Sequence, residues 1–126
     1  MSFVLKTALA AGVLLAAVTA YFRFTPLALK GVEVSSGECN INSFSGTTVK
    51  SSWAGSTQQL AIEQPANCAA YLESASVQRL GSHLFVRTRF ALPADMATGC
   101  NCGQRVNLKI PDLPQATYRV HVYAWP

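Results

Sequence analysis

The sequence predicts a mainly β protein, with a single antiparallel β-sandwich that is preceded by one N-terminal hydrophobic helix. Three observations lead to this prediction. The segment from Thr7 to Phe22 contains no charged residue. Several stretches of the C-terminal half alternate between apolar and polar residues, which is typical of strands that bury one face. No convincing helical period follows the N-terminal segment, so two packed antiparallel sheets are expected.

Residues 1–24 are expected to act either as a transmembrane anchor or as a signal peptide. At ~1.5 Å per residue the uncharged segment is shorter than a ~30 Å hydrocarbon core, but the residues that flank it would extend the span. Val18 and Ala20 suit a signal-peptidase cut, so both alternatives remain open. Either one places the rest of the chain outside the cytoplasm. If the segment is retained, the protein is an inner-membrane protein that contacts the membrane through residues 3–24 and has a periplasmic domain. If the segment is cleaved near Ala20, the protein is periplasmic or secreted.

A linker is expected at residues 25–30, where Pro26 would end an emerging helix, and one extracytoplasmic domain at residues 31–126. The formal net charge of the chain is +4, and Lys6 and Arg23 beside the hydrophobic segment contribute to it. The remaining surplus is too small to indicate a nucleic-acid partner. The sequence contains no Asn-x-Ser/Thr acceptor, which together with the short export segment favours a bacterial envelope.

All four cysteines follow the hydrophobic segment: Cys39, Cys68, Cys100 and Cys102. In an oxidising compartment they are expected to form two disulfides, and the sequence allows three pairings. We favour bonds from Cys39 and Cys68 to one member each of the Cys100/Cys102 pair, because a ring closed across Asn101 alone would be cramped. The alternative pairs Cys39 with Cys68 and leaves a Cys100–Cys102 bond that is easily reduced and redox-active.

The first strand is expected around Val32 and Val34, with a turn at Ser36–Gly37. Residues 38–59 are rich in Ser, Thr, Asn and Gly and give the weakest signal. A strand within this region would place Val49 and Trp53 on one side, and a short strand at 59–63 is expected to end at Pro65.

The second half of the chain shows the clearest strands. Residues 73–79 and 83–90 are predicted to form an antiparallel hairpin, because both alternate and residues 80–82 contain Gly81. Two more alternating stretches follow at residues 106–110 and 118–123. With the hairpin they predict the body of the sandwich.

The segment Leu113–Val122, which reads LPQATYRVHV, resembles the Leu-Pro-x-x-Thr-Tyr-x-Val-x-Val stretch before a late strand of immunoglobulin-like, fibronectin type III and transthyretin-like domains. The resemblance implies an immunoglobulin-like sandwich. It also implies that Leu113 and Tyr118 fix a corner between strands and that Val120 and Val122 fill the core. It carries no catalytic residue.

The sequence shows no catalytic motif, and the only imidazoles are His83 and His121. We therefore expect no enzymatic activity and no cofactor. One alternative is a soft-metal site built from Cys100, Cys102 and Met96, with His83 or His121. Thiolate, thioether and imidazole ligands together suit monovalent copper.

Alternation also predicts which side chains face outward. If the strands at 83–90, 106–110 and 118–123 share a sheet, one face carries arginine and aromatic side chains together. This predicted partner-binding surface consists of Phe85, Arg87, Arg89, Lys109, Arg119, His121 and Tyr123. The sequence therefore predicts a non-catalytic binding or accessory module, membrane-anchored or secreted, that binds another envelope protein, and an acidic partner would suit the charge of this surface. The alternative function is copper binding or thiol redox chemistry at Cys100 and Cys102.

Overall fold

The computed structural model describes residues 11–17, 26–42, 46–96 and 99–125. Residues 11–17 are helical, and eight strands account for most of the rest. The strands are β1 (Leu27–Ala28), β2 (Glu33–Asn40), β3 (Thr48–Ala54), β4 (Thr57–Asn67), β5 (Tyr71–Leu80), β6 (His83–Ala91), β7 (Asn101–Ile110) and β8 (Arg119–Trp125). The prediction of a mainly β protein is confirmed.

The strands form two four-stranded sheets. Sheet A has the order β1-β5-β6-β8, and sheet B has the order β2-β7-β4-β3. Among the described strands every pairing is antiparallel except that of β6 with β8, which is parallel. The prediction of purely antiparallel sheets is therefore wrong at this pair. The reason is the path of the chain, which leaves sheet A after β6, runs through β7 in sheet B and returns to sheet A as β8. Parallel neighbours require a crossover connection of this kind.

The inner faces of both sheets share one hydrophobic core, so the two sheets pack face to face. Its buried members are Leu60, Ile62, Val77, Leu84, Val86, Val106, Leu108, Ile110 and Leu113. A buried hydrogen bond also joins the two sheets within this core: Thr88 Oγ1 of sheet A donates to Gln64 Oε1 of sheet B at 2.7 Å, and both side chains are buried. Burial of alternate residues along β4, β6 and β7 follows from the period of two in their sequences.

The predicted hairpin is confirmed as β5 and β6, with Leu80 opposite His83. Gly81 adopts a φ of 58°, which this two-residue connection requires and which glycine adopts without a steric penalty. Val49 and Trp53 of β3 both pack against the core, as their spacing predicts.

One predicted turn and one predicted strand end were wrong. The chain forms a bulge between Ser36 and Cys39 inside β2, rather than a turn at Ser36–Gly37. A Cβ on Gly37 would lie 3.0 Å from Cβ of Arg105, so glycine allows β2 to approach β7 closely. Strand β4 also continues through Pro65 to Asn67. Pro65 is tolerated because β3 begins opposite Glu63, which leaves β4 an edge strand beyond that point.

The expected linker at residues 25–30 contributes β1, which pairs Leu27 and Ala28 with β5. Within the described ranges, no helix is both long enough and apolar enough to cross a membrane. The anchor or signal peptide expected at residues 1–24 falls for the most part outside the described residues.

The entry to β8 is held by a tight corner. Leu113 is 3% exposed in the core, and its N–H donates to Ser56 O at 3.1 Å. The Tyr118 hydroxyl donates to Pro114 O at 2.7 Å, and its ring lies 6.2 Å from that of Trp53. These contacts fix where β8 begins, and hence which of its side chains reach the outer face of sheet A.

Candidate functional site

The outer face of sheet A carries a cluster of four rings, which we call the ring cluster: His83, Phe85, His121 and Tyr123. The parallel register of β6 and β8 places Phe85 opposite His121, with ring centroids 5.1 Å apart. The rings of Phe85 and Tyr123 are 6.4 Å apart and tilted by only 14°. Near-parallel rings on neighbouring strands form a continuous aromatic surface.

A hydrogen bond joins the two histidines of the ring cluster. His83 Nδ1 and His121 Nε2 lie 2.9 Å apart, although the residues are 38 positions apart in the chain. One of these nitrogens must carry a hydrogen and the other must offer its lone pair. The bond therefore forms when neither ring or only one ring is protonated, and it cannot form when both are. Both side chains are half-buried, and so is Phe85 beside them.

Arginines surround the ring cluster. Arg119 lies opposite His83, and Arg87 lies opposite Tyr123. Arg89 lies on the same face of β6, and its Nε contacts Glu73 Oε2 at 3.1 Å. All three arginines are exposed, and the face has a cationic rim beside an aromatic centre.

A shallow depression adjoins this rim. It has a volume of about 250 Å³ and is lined by Ser74, Ser76, Arg87, Thr88 and Arg89. The serines belong to β5, where Ser76 pairs with Arg87 and Ser74 with Arg89. Short side chains on β5 thus leave the arginine side chains of β6 accessible from one flank.

The structure brings together every residue of the predicted surface except Lys109. Lys109 lies on β7 in sheet B, between β2 and β4. The assumption that residues 106–110 share a sheet with β6 and β8 was wrong, because the chain crosses from one sheet to the other between β6 and β7. His83, in contrast, was not included in the predicted surface. The signal for it was present, since His83 and Phe85 are two residues apart on one strand and share a face.

The cysteines form the bonds Cys39–Cys102 and Cys68–Cys100, which is one of the two pairings that the sequence favoured without choosing between them. All four lie in the described part of the chain, and none is a free thiol. The alternative Cys100–Cys102 bond is not formed. The predicted copper ligands Cys100 and Cys102 are both bonded in disulfides. Cys102 lies in β7 of sheet B and Cys100 immediately precedes that strand, whereas His121 bonds to His83 on the outer face of sheet A.

Comparison with known proteins gives no family assignment: no family model matches the chain, and no curated protein or solved structure matches it. The function must therefore be argued from the chemistry of the described residues.

Proposed function

We propose that this chain is a non-catalytic binding or accessory module of a bacterial envelope assembly, and that it binds an acidic protein partner through the outer face of sheet A. The observation that carries the proposal is the ring cluster with Arg87 and Arg119 beside it on one exposed sheet face. Arginine and tyrosine are enriched at the centres of protein interfaces, whereas a sheet face that only meets solvent is usually polar.

The ordered state of the rings favours binding. Phe85 and His121 are half-buried and stack on each other, and the histidine pair is hydrogen-bonded. Side chains that are already fixed in the unbound protein lose little conformational entropy when a partner covers them, a cost of about 0.5–1.5 kcal/mol for each mobile side chain. The arginines at the rim would attract an acidic partner and increase its association rate.

The proposed compartment is extracytoplasmic. Two disulfides support an oxidising environment, in which such bonds persist. We place the chain in the inner membrane with its β domain in the periplasm, or in the periplasm or medium after cleavage near Ala20. We also assign the two-sheet fold to the immunoglobulin-like class. The hydrogen bond from the Tyr118 hydroxyl to Pro114 O supports this assignment, because it has the form of the tyrosine corner in such domains.

The test compares two charge reversals on opposite faces of the domain. Arg87→Glu with Arg119→Glu reverses the rim of the ring cluster, and Lys50→Glu with Lys109→Glu makes the same charge change on the outer face of sheet B. Partners are captured from envelope extracts in mild detergent, and their affinities are measured at two salt concentrations. We expect at least tenfold weaker binding, ~1.4 kcal/mol, for the arginine variant and little change for the lysine variant. Equal binding by both variants would contradict the proposal.

A further inference from the structure

Strand β8 forms one edge of sheet A, since β6 is its only neighbour among the described strands. Arg119 N–H donates to Ser82 O at 2.8 Å, and further along β8 the Tyr123 carbonyl oxygen accepts a hydrogen bond from Thr88 Oγ1 at 3.4 Å. Both β8 residues therefore direct backbone groups towards β6. Backbone groups of successive residues in a strand point to opposite sides. The β8 residues whose N–H and C=O groups point away from the sheet are Val120, Val122 and Ala124.

The core is incompletely covered along this edge. Val120 lies opposite Leu84, and Val122 lies opposite Val86, so each pair shares the inner face of sheet A. Leu84 and Val86 are 0% exposed, whereas both valines of β8 are only half-buried, although they pack against the core. A strand placed beside β8 would remove more of their apolar surface from water.

The other sheet edges carry features that discourage pairing with another chain. Such features include short edge strands, bulges, prolines and charged side chains. Within the described part of the chain, β1 has two residues, β2 and β5 each contain a bulge, and β3 carries the exposed Lys50 near its centre. Strand β8 pairs with β6 over seven consecutive residues without a bulge. After Arg119 it reads VHVYAW, with no lysine, arginine, acidic residue, proline or glycine. Its edge therefore lacks these protections.

We propose that an extended segment of the acidic partner pairs with the outer edge of β8 and continues sheet A. This inference rests on the proposed function and names the part of the partner that binds. Backbone hydrogen bonds to the edge provide affinity in this mode of recognition, and alternate side chains provide specificity.

The two faces of β8 determine the chemistry of the added segment. On the outer face its side chains lie beside Arg119 and the ring cluster, which favours carboxylates. On the inner face they lie beside Val120 and Val122, which favours aliphatic groups. The segment therefore alternates between acidic and aliphatic residues. A second copy of this chain suits the edge less well, because the chain has a formal net charge of +4 and two copies would repel each other.

The first test uses the full chain in mild detergent and a capped peptide of four Glu-Val repeats. At saturation we expect hydrogen exchange of the Val120, Val122 and Ala124 amides to slow by at least about tenfold, as measured by NMR. A peptide of four Lys-Val repeats is the matched control and should bind at least about tenfold more weakly, because its charge repels the arginines.

The second test separates backbone pairing from contact between side chains alone. Two versions of the Glu-Val peptide carry N-methyl groups either on every Glu or on every Val. Amides of alternate residues face β8, so one version should lose at least about tenfold in affinity and the other should bind like the unmodified peptide.

The third test changes the edge itself. Ala124→Pro removes an N–H that points away from the sheet, so β8 should remain folded, yet the peptide should bind at least about tenfold more weakly. Ala124→Thr keeps the N–H and should bind like the wild type. If Ala124→Pro does not fold, the N-methylated peptides on the wild-type chain still decide.

Three results would overturn the proposal. The Glu-Val peptide leaves the β8 amides unprotected, or both N-methylated versions bind equally well, or the free chain sediments as a dimer with these amides already protected, so that a second copy occupies the edge. Failure of the proposed function is distinguishable. If Arg87→Glu with Arg119→Glu weakens partner binding while the peptide leaves β8 unprotected, the binding face stands and strand addition is refuted.

Discussion

The hydrogen bond between Thr88 and Gln64 is expected to stabilise the sandwich, because it is the buried polar link between β6 of sheet A and β4 of sheet B. Thr88 is 0% exposed and Gln64 is 4% exposed. Thr88→Val keeps the shape of the side chain but removes the hydroxyl, so Gln64 Oε1 loses its donor at 2.7 Å. A buried acceptor left without a partner costs about 1–3 kcal/mol, and we expect Thr88→Val to lower the free energy of unfolding by that amount.

The matched control is the double variant Thr88→Val with Gln64→Leu. It removes both polar partners at once, and replacement of both by apolar groups of similar shape is nearly neutral. Unfolding in urea, followed by tryptophan fluorescence and extrapolated to water, gives the free energies for the four proteins of the cycle. The reasoning is refuted if Thr88→Val is as stable as the wild type, or if the double variant is less stable than both single variants.

Three further predictions follow from contacts in and around sheet A. Tyr118→Phe removes the hydroxyl that donates to Pro114 O and should lower the free energy of unfolding by about 0.5–1.5 kcal/mol. The midpoint of unfolding in urea measures this change. An unchanged midpoint would mean that the corner is held by packing alone. Gly81→Ala should lower the free energy of unfolding by about 1 kcal/mol because the residue has a φ of 58°, even though no atom lies within 4 Å of the added Cβ. A thermal unfolding curve that coincides with that of the wild type would contradict this. His121→Asn should change the free energy of unfolding by less than about 1 kcal/mol relative to the wild type, because the side chain is only half-buried. The same variant should weaken capture of the partner. Binding at wild-type strength would exclude the histidine pair from the interface.

Local sequence patterns predicted the elements that depend on local interactions. The β5–β6 hairpin was predicted because both arms alternate and Gly81 supplies the positive φ of the connection. The small separation of Cys100 and Cys102 disfavoured a bond between them, which left two pairings, and the structure has one of these two. Both inferences use only distances along the chain and the geometry of a few bonds.

Other features depend on tertiary packing and had only a weak local signal. Strand β3 is an edge strand whose side chains are mostly exposed, so Val49 and Trp53 were the only apolar residues that marked its inward side. The bulge at Gly37 was mistaken for a turn, because glycine marks either feature and only the approach of β7 distinguishes them.

Strand partners determine the chemistry of the candidate surface. Alternation assigns each side chain to a face, but it does not say which strand lies beside β6. With β7 as that neighbour, Lys109 would have joined the arginines and no second imidazole would have reached His83. The crossover instead places β8 there in parallel register, and His121 lies opposite Phe85 and within 2.9 Å of His83. The two histidines of the chain therefore meet because of the topology, and the proposed binding surface depends on the corner at Tyr118 that directs β8 back to sheet A.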